Sequence, residues 1–230
     1  MTRSAAGCDP AFVLAQIQQE DAAVMVRAKG AGYDRIKRIL DVVLAFVLIV
    51  LLWPLMLLIA ATIKLTSRGP AIFTQQRTGL HGKPFKMYKF RTMRKGAEDD
   101  RAFLAHKNET NGPVFKIADD PRLTKVGKLL RRSSMDELPQ LFNALAGNMS
   151  LVGPRPLWFV ESQQITGPAK VRIEVKPGLT CLWQISGRSE LSYEEWALLD
   201  LYYIRHRSIW LDLLIVAQTL PAVISGRGAY

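Results

Sequence analysis

The 230-residue sequence is poor in the side chains that build disulfide frameworks and zinc centres. Its two cysteines, Cys8 and Cys181, lie far apart in unlike surroundings, which argues against a disulfide framework and favours a reduced, cytosol-facing compartment. The three histidines, His81, His106 and His206, lack metal-ligand spacing, so a zinc site is not expected. The sequence also has no internal repeat and no motif for a nicotinamide, flavin or haem cofactor.

Acidic residues are also in short supply. The chain has 20 Asp and Glu against 31 Lys and Arg, which gives a formal net charge of +11 and a pI near 9.9. This balance suits nucleic acid, an anionic membrane face or phosphate-bearing substrates, and charge alone does not choose among them. Hydrophobic residues make up 49% of the chain, enough for one domain with its own core plus a membrane anchor.

One long apolar segment, residues 39–63, has the length of a membrane helix. Its roughly 25 residues suffice to cross a bilayer. Pro54 lies near the middle and removes a backbone donor, which predicts a kink in the helix. Asp41, inside the apolar run, is expected at headgroup depth or in a pair with a basic neighbour.

Basic residues flank this segment on both sides. They are Arg35, Lys37 and Arg38 before it and Lys64, Arg68 and Arg77 after it. Because basic flanks prefer the cytoplasm, a straight crossing would place one set on the wrong side. We therefore predict a re-entrant helix that bends near Pro54 and returns to the same face. A straight span and, less favourably, an apolar hairpin buried in a soluble core are the alternatives.

The basic region after the apolar segment has the pattern of a β-hairpin. Residues 72–74 are good strand formers, Gly79 and Gly82 mark a turn, and a second strand is expected to begin near Phe85. The basic side chains of this region are Lys83, Lys86, Lys89, Arg91, Arg94 and Lys95. They form either a solvated or headgroup-facing edge or, in part, a phosphate-binding site.

Two adjacent carboxylates, Asp136 and Glu137, stand among basic residues and helix-start signals. Ser134 and Glu137 match a capping box, and residues 138–145 give an apolar helical stripe. Both carboxylates would then lie within about one turn of a helix N-terminus. One interpretation is structural, in which Glu137 caps the helix and Asp136 complements its dipole.

A second interpretation of the pair is chemical. A helix N-terminus beside Arg131, Arg132 and Arg155 would attract a phosphate group. A carboxylate placed there can attack phosphorus and form an acyl-phosphate. Mg²⁺ held by the carboxylates and a diphosphate would neutralise charge in the transition state.

Four ordered motifs carry a family resemblance. They are KFRTM (89–93), DPRLTKVGKLLRRSSMDELPQL (120–141), GNMSLVGPRP (147–156) and KPGLTCLWQISGR (176–188). From about Arg35 to the C-terminus, the sequence resembles the bacterial sugar transferases, also called monotopic polyprenyl-phosphate phosphoglycosyl transferases. Residues 191–226 are similar to members that start exopolysaccharide or capsule synthesis with a hexose 1-phosphate.

The resemblance implies a reaction and a set of site residues. A sugar 1-phosphate, expected to be that of a hexose, would pass from a UDP-sugar to polyprenyl (undecaprenyl) phosphate, with release of UMP. Asp136 would be the nucleophile that holds the sugar phosphate covalently, Glu137 its partner, and Arg131 a further catalytic residue. Both carboxylates would serve Mg²⁺ as metal ligands. The implied substrate contacts are Lys89, Arg91, Arg155 and Arg188.

The predicted fold is an α-rich α+β monotopic membrane protein. Its regions are an N-terminal extension (1–33), a re-entrant membrane helix kinked near Pro54 (34–68) and a cytosolic catalytic domain with the small β-hairpin (69–230). Tyr202, Tyr203 and Trp210 are expected as interfacial aromatics on amphipathic helices in the membrane plane, with ordinary core helices as the alternative. The expected location is the bacterial inner membrane, with the catalytic domain on the cytoplasmic face.

The expected partners are the UDP-sugar donor, polyprenyl phosphate and membrane lipids. No nucleic acid is expected, and homo-oligomerisation is left open. Two rival functions stay in view. A membrane-tethered basic module would bind nucleic acid or anionic lipid without turnover and with strong salt dependence, but it gives the carboxylate pair no role. A hydrolase of lipid or nucleotide diphosphates would release sugar phosphate without any lipid acceptor.

Overall fold

The computed structural model describes residues 31–109, 114–115, 117, 119–188, 191–226 and 228. Most of the predicted N-terminal extension, residues 1–30 with Cys8, lies outside them, and residues 31–33 already belong to the first helix. The other cysteine, Cys181, is a buried free thiol.

Helices dominate the described residues. In chain order they are α1 (Ala31–Thr66), α2 (Lys125–Arg132), α3 (Gln140–Ala146), α4 (Phe159–Ser162), α5 (Leu182–Ile185), α6 (Tyr193–His206) and α7 (Ile209–Ser225). The strands are β1 (Ile72–Thr78), β2 (Pro84–Phe90), β3 (Ser150–Val152) and β4 (Gly178–Thr180). The helix-rich fold with a small hairpin agrees with the prediction, whereas the short parallel pair of β3 and β4 was not predicted.

The apolar segment folds into α1, a helix of 36 residues with Pro54 inside it. At 1.5 Å per residue it is roughly 54 Å long, more than the ~30 Å hydrocarbon thickness of a bilayer. Within the described residues, it alone is long and apolar enough to cross a membrane. Leu51, Leu58 and Leu65 are 69%, 64% and 87% exposed along it. The helix continues through Pro54, so the re-entrant bend at this residue stays a prediction.

The two ends of α1 are bonded to the same folded domain. Near its start, Arg38 donates from NH1 and NH2 to the carbonyl oxygens of Ala144 and Leu145, at 2.7 and 2.8 Å. These carbonyls close α3, so Arg38 completes the C-terminus of that helix. Just beyond the other end, the carbonyl oxygen of Ser67 accepts a hydrogen bond from NH2 of Arg91 at 2.9 Å.

Asp41 is also part of this attachment. Asp41 is 5% exposed, and its Oδ1 accepts a hydrogen bond from the backbone N–H of Leu151 in β3 at 2.9 Å. The carboxylate is therefore satisfied by a backbone donor, not by the basic neighbour that the sequence suggested. A buried carboxylate needs such a donor because burial without one is costly.

The hairpin of β1 and β2 forms as predicted. The strands are antiparallel, with Gln75 opposite Met87, and β2 begins at Pro84, one residue before the expected position. The pairing places Phe73 opposite Lys89, so the side chain of Lys89 shares the face that Phe73 presents.

Asn143 fastens α3 to the edge of β2. Its Nδ2 donates to the carbonyl oxygen of Lys86 at 2.8 Å, and its Oδ1 accepts from the backbone N–H of Tyr88 at 3.0 Å. Asn143 is 1% exposed. Because α3 follows the carboxylate pair directly, this side chain fixes the pair relative to the strand that carries Lys89.

Helix α2 crosses the segment after β2 at close range. A Cβ at Gly127 would stand 1.9 Å from the carbonyl oxygen of Thr92, so only glycine fits there. Thr124 caps α2 by accepting the N–H of Gly127 at 2.9 Å, and its own N–H donates to Thr92 at 3.0 Å. One turn later, Nε of Arg131 donates to Oγ1 of Thr92 at 3.2 Å. The glycine thus sets the position of Arg131.

The main core lies between α1, α3, β3, α6 and α7, and Ala45, Leu141, Leu199 and Ile215 are all but inaccessible within it. Large apolar side chains remain outside it on α7.

The prediction that Tyr203 is an interfacial aromatic was wrong. The residue is 3% exposed, and its hydroxyl lies 2.8 Å from Oδ1 of Asp212 and 3.1 Å from the carbonyl oxygen of Val152. A buried tyrosine needs such acceptors, and α6 supplies the core with this one. Trp210 on α7 is 70% exposed and keeps the interfacial role as a prediction.

Candidate active site

The chain reverses direction immediately before the carboxylate pair. Ser134 has φ 54° and ψ 14°, in the left-handed region that residues other than glycine rarely adopt. Residues Met135–Glu137 form one 3-10 turn, and α3 begins at Gln140 after Pro139. The predicted capping box was wrong, because a capping residue needs an extended backbone and the side chain of Ser134 makes no capping bond.

Glu137 is surrounded by donors. Arg155 reaches both carboxylate oxygens, with NH1 3.3 Å from Oε2 and NH2 on Oε1. Nζ of Lys89 lies 3.5 Å from Oε1, and Nε2 of Gln184 lies 3.4 Å from Oε2. Burial acts to raise the pKa of Glu137, but the charges of Arg155 and Lys89 outweigh it and hold the pKa to about 2. Glu137 is therefore an anion whose charge is already balanced.

Asp136 lies beside this network but differs from Glu137 in its hydrogen bonds and in the direction of its pKa shift. It is 6% exposed, and among the described residues no group donates a hydrogen bond to its carboxylate. Burial raises the pKa of Asp136, the charge of Lys89 opposes the shift, and Glu137 adds to it. A carboxylate without hydrogen bonds keeps its lone pairs available for attack or for a cation.

Lys89 on β2 and Arg131 on α2 approach the pair from two sides. Burial lowers the pKa of Lys89 to about 8, although Glu137 opposes the shift. Burial also lowers the pKa of Arg131, and the charge of Asp136 opposes it. The structure thus brings together five of the seven predicted site residues, Lys89, Arg131, Asp136, Glu137 and Arg155.

The loop after β3 presents Arg155 and is held by two other guanidinium groups. NH2 of Arg172 donates to the carbonyl oxygen of Arg155 at 3.0 Å, and NH1 of Arg77 donates to that of Pro156 at 3.1 Å. Burial acts to lower the pKa of Arg155, but the adjacent Glu137 outweighs it and raises the pKa. Arg155 is therefore fixed through its backbone and through its side chain.

A cavity of about 660 Å³ opens over the carboxylate pair, a size suited to a small-molecule ligand. Its wall carries ten basic and five acidic residues, so it favours an anionic ligand. The basic residues are Arg77, Lys89, Arg91, Arg94, Lys95, Arg101, Arg122, Arg131, Arg155 and Arg188. The acidic residues are Glu98, Asp99, Asp136, Glu137 and Glu161.

Arg91 and Arg188 line this cavity, but parts of their guanidinium groups are engaged elsewhere. NH2 of Arg91 donates to the carbonyl and hydroxyl oxygens of Ser67, at 2.9 and 2.8 Å. Nε of Arg188 donates to the carbonyl oxygen of Gln184 at 3.3 Å. The substrate contacts expected of both arginines stay predictions.

Three side chains of the site were not predicted from the sequence. Arg77 counted in the sequence as a flank of the membrane helix, yet it lies on the cavity wall. The alternation of β1 places it on the same face as Phe73, which is opposite Lys89, and this period of two was the available signal. Gln184 lies in the motif 176–188 but was not singled out there, and Arg172 lies outside the four motifs; the contacts of both residues join segments that are distant in sequence.

Of the two carboxylates, that of Asp136 is the more open to a cation, and a magnesium ion there would need a ligand's phosphates to complete its coordination. In the part of the chain that the structure describes, no group of three or more His, Cys, Asp or Glu could hold a metal ion. Mg²⁺ commonly takes one or two carboxylates together with substrate phosphates and waters. Asp136 suits this role because none of the described residues donates a hydrogen bond to its oxygens, whereas Arg155 and Lys89 already contact those of Glu137.

Comparison with known proteins identifies relatives of this chain. It is 48% identical over 162 residues to the galactosyl transferase CpsE of Streptococcus agalactiae serotype III (strain NEM316), covering 70% of this chain and 36% of that protein. It is 43% identical over 202 residues to the UDP-glucose:undecaprenyl-phosphate glucose-1-phosphate transferase of Klebsiella pneumoniae, covering 84% and 41%. It is 42% identical over 198 residues to the exopolysaccharide production protein ExoY of Rhizobium meliloti (strain 1021), covering 84% and 88%.

The chain thus spans less than half of two of these relatives and nearly all of the third. The sequence model of the family described as bacterial sugar transferase matches residues 32–226, which take in every helix and strand from α1 to α7 except the first residue of α1. This chain therefore belongs to the bacterial sugar transferase family.

Proposed function

We propose that this protein transfers a sugar 1-phosphate from a UDP-sugar to polyprenyl (undecaprenyl) phosphate, as the first membrane step of exopolysaccharide, capsule or related glycan assembly. The observation that carries the proposal is the position of two unlike carboxylates under a cationic cavity. That of Asp136 accepts no hydrogen bond from the described residues, and the charge of Glu137 is balanced by its neighbours. The names of two relatives refer to galactosyl and glucose-1-phosphate transfer, which supports a hexose as the sugar.

The proposed chemistry has two displacements at one phosphorus atom. First, a carboxylate oxygen of Asp136 attacks the β-phosphorus of the UDP-sugar and forms an aspartyl O–P bond. The bond from that phosphorus to the bridging oxygen breaks, and its electron pair leaves with UMP. Second, a phosphate oxygen of polyprenyl phosphate attacks the same phosphorus and the aspartyl O–P bond breaks. Asp136 regains its charge, and the product is a polyprenyl diphosphosugar.

The cations around Asp136 suit a reaction in which negative charge passes between phosphate oxygens. Arg131, Lys89 and Arg155 approach from α2, β2 and the loop after β3, so they can hold the donor's phosphates from three directions. Glu137 contributes by holding Lys89 and Arg155 in these positions before the donor arrives. Such fixed charges need no reorganisation during the reaction.

We also propose Mg²⁺ as the cofactor, held by Asp136 and Glu137 with the donor's diphosphate. When bound, the ion would neutralise charge on the diphosphate. Lys89 and Arg155 would then share Glu137 with the ion, so binding of the ion and binding of the donor should favour each other.

The attachments of α1 support a monotopic arrangement. Arg38 and Ser67, 29 residues apart, would lie roughly 44 Å from each other along a straight helix, and both bond the same domain. A straight crossing would draw this polar domain through the hydrocarbon, where its backbone and charged groups would lack water. A helix that enters and leaves by the cytoplasmic face of the inner membrane keeps both contacts and both sets of basic flanks.

The test is turnover by the purified membrane protein with polyprenyl phosphate, Mg²⁺ and a panel of UDP-sugars. We expect UMP release that depends on the lipid, and a polyprenyl diphosphosugar as product. Without the lipid, a rapid denaturing quench should show wild-type chain that is heavier by one sugar phosphate. Asp136→Asn should give neither the adduct nor turnover, while it stays in the membrane.

Other outcomes point to the rival functions. Continuous release of free sugar phosphate without lipid would indicate a hydrolase. Strongly salt-dependent binding of nucleic acid or anionic lipid, without UMP release from any donor, would indicate a binding module. Full turnover by Asp136→Asn would eliminate the covalent scheme.

A further inference from the structure

The cavity has a second charged group that the proposed chemistry does not use. Glu161 on α4 lines the cavity with its side chain 9% exposed, and its Oε1 accepts a hydrogen bond from NH2 of Arg101 at 2.7 Å. Within the described residues, no donor reaches its other oxygen, Oε2. The guanidinium of Arg101 lies over the ring of Trp158, 4.0 Å from the ring centroid, and over Phe115, at 4.9 Å. One hydrogen bond and two aromatic rings thus hold Glu161 and Arg101 in a defined arrangement.

Arg77 connects the two charged groups. It lines the cavity, and its NH1 donates to the carbonyl oxygen of Pro156, the residue after Arg155. Its backbone also forms a β-bridge with that of Trp158. A ligand whose phosphates lie near Asp136 can therefore extend past Arg77 to Glu161.

The charge of Glu161 restricts what part of the ligand can reach it. Its Oε2 can accept a hydrogen bond but cannot donate one, so this oxygen suits a ligand group that carries a donor, such as a hydroxyl, better than a phosphate oxygen. The donor has two uncharged parts, the sugar and the nucleoside. A nucleobase would use an aromatic face for stacking, but Arg101 already covers one face of Trp158 and lies over Phe115.

A sugar fits the remaining chemistry better. Each sugar hydroxyl both donates and accepts hydrogen bonds. Glu161 can only accept and Arg101 can only donate, so the pair offers both halves of what neighbouring hydroxyls require. Because the pair is held in one geometry by its own hydrogen bond and by Trp158, it can distinguish the directions in which hydroxyls point.

We infer that Glu161 and Arg101 form the subsite that binds the hydroxyl groups of the transferred sugar, and that they determine which hexose the enzyme accepts. This inference rests on the proposed transferase function. It assigns donor selection to α4 and to the 3-10 turn Asp99–Arg101, away from the reacting carboxylate.

The test compares the best UDP-hexose found for the wild type with its hydroxyl epimers and with UMP as a competitive inhibitor. In Glu161→Gln, kcat/KM for the best donor should fall roughly tenfold or more, as expected for loss of charge-assisted hydrogen bonds. The preference over an epimer should shrink by a similar factor. The inhibition constant of UMP, which has no hexose, should stay within about twofold.

Two further variants protect the test. Arg101→Lys keeps the positive charge but loses the planar donor set. It should therefore reduce the preference for the best UDP-hexose over its epimers, even if Glu161→Gln folds poorly. Asp119→Asn removes the carboxylate of an exposed ion pair with Lys128 and should change neither preference nor UMP inhibition. If the inhibition by UMP weakened by the same factor as kcat/KM, Glu161 and Arg101 would belong to the nucleotide subsite and the inference would be overturned. Unchanged donor preference in both subsite variants would also overturn it. Absence of UMP release by the wild type from every donor would instead sink the transferase proposal.

Discussion

Arg172 joins the loop of Arg155 to helix α6. The same NH2 group that donates to the carbonyl oxygen of Arg155 at 3.0 Å lies 2.7 Å from Oδ2 of Asp200. Arg172 and Asp200 are 8% and 3% exposed, so this connection is shielded from water. Arg172 touches no reacting group and acts on the site through the position of Arg155.

We expect Arg172→Lys to raise KM for the UDP-sugar about tenfold with a smaller change in kcat, because an ammonium cannot reach both acceptors in the planar geometry of guanidinium. Steady-state kinetics of UMP release measures both constants. The matched control is Lys170→Ala, an exposed position on the same 3-10 segment. A loss of thermal stability with unchanged KM would reduce Arg172 to a structural residue.

Asp136→Asn should abolish turnover, by roughly three orders of magnitude or more, and yet stabilise the fold at pH 7. The stabilisation follows because burial raises the pKa of Asp136, which means that its ionised form is unfavourable in the folded protein. Thermal unfolding in detergent tests this sign. A lower melting temperature than wild type would show that the carboxylate has stabilising partners.

Glu137→Gln should behave in the opposite way. Its carboxylate balances Arg155 and Lys89, so the amide would leave two partly buried cations without their anion and destabilise the fold by roughly 2 kcal/mol. Activity and its dependence on Mg²⁺ should both decrease. Added UMP should restore part of the lost melting temperature, since its phosphate supplies negative charge to the same cations. An unaltered melting temperature would contradict this account of Glu137.

Asp200 should make stability depend on pH in a defined window. Burial raises its pKa to about 6, although Arg172 opposes the shift. The folded protein then holds this proton more tightly than the unfolded chain, so the stability it contributes is complete below about pH 4 and is lost as pH rises through 6. Relative to Asp200→Asn, the wild type should lose up to roughly 3 kcal/mol between these values. If the free energies of unfolding of the two proteins differed by the same amount at every pH from 4 to 7, the raised pKa of Asp200 would be refuted.

Asp41 should tolerate one substitution and not another. Asn keeps an oxygen that can accept the N–H of Leu151, whereas Leu leaves that buried donor without a partner. We expect Asp41→Leu to cost about 1–3 kcal/mol and Asp41→Asn much less, although leucine is the more apolar residue. Unfolding of both variants in the same detergent gives the comparison. Equal stability would place Asp41 in the lipid interface.

The sequence predicted the membrane helix, the hairpin and the carboxylate pair, because each has a local signal. Apolar length marks α1, turn glycines mark the hairpin, and ordered motifs mark Asp136 and Glu137. The local conformation at Ser134 was not predictable in this way, since its left-handed backbone is imposed by the packing of α2 and α3 around it.

The long-range contacts of the site were harder to predict. Arg77 and Arg172 both bind backbone carbonyls of the loop around Arg155, and a carbonyl has no side-chain identity that a sequence pattern can reveal. Tyr203 was misplaced for a related reason. A tyrosine near basic residues can lie at a membrane interface or in a core. The hydrogen bond of Tyr203 to Asp212, which shows that it lies in the core, has no signal in the local sequence.

Helix α1 takes part in folding the domain, because Arg38 and Asp41 within it, and Ser67 just beyond its end, are all hydrogen-bonded to that domain. Without α1, helix α3 would lose the donor at its final carbonyls, and Leu141 and Ala144 would face solvent. The remaining residues should then aggregate when expressed as a water-soluble fragment. Since α1 leaves the ribosome before them, we expect insertion to come first and the later elements to assemble against an already anchored template.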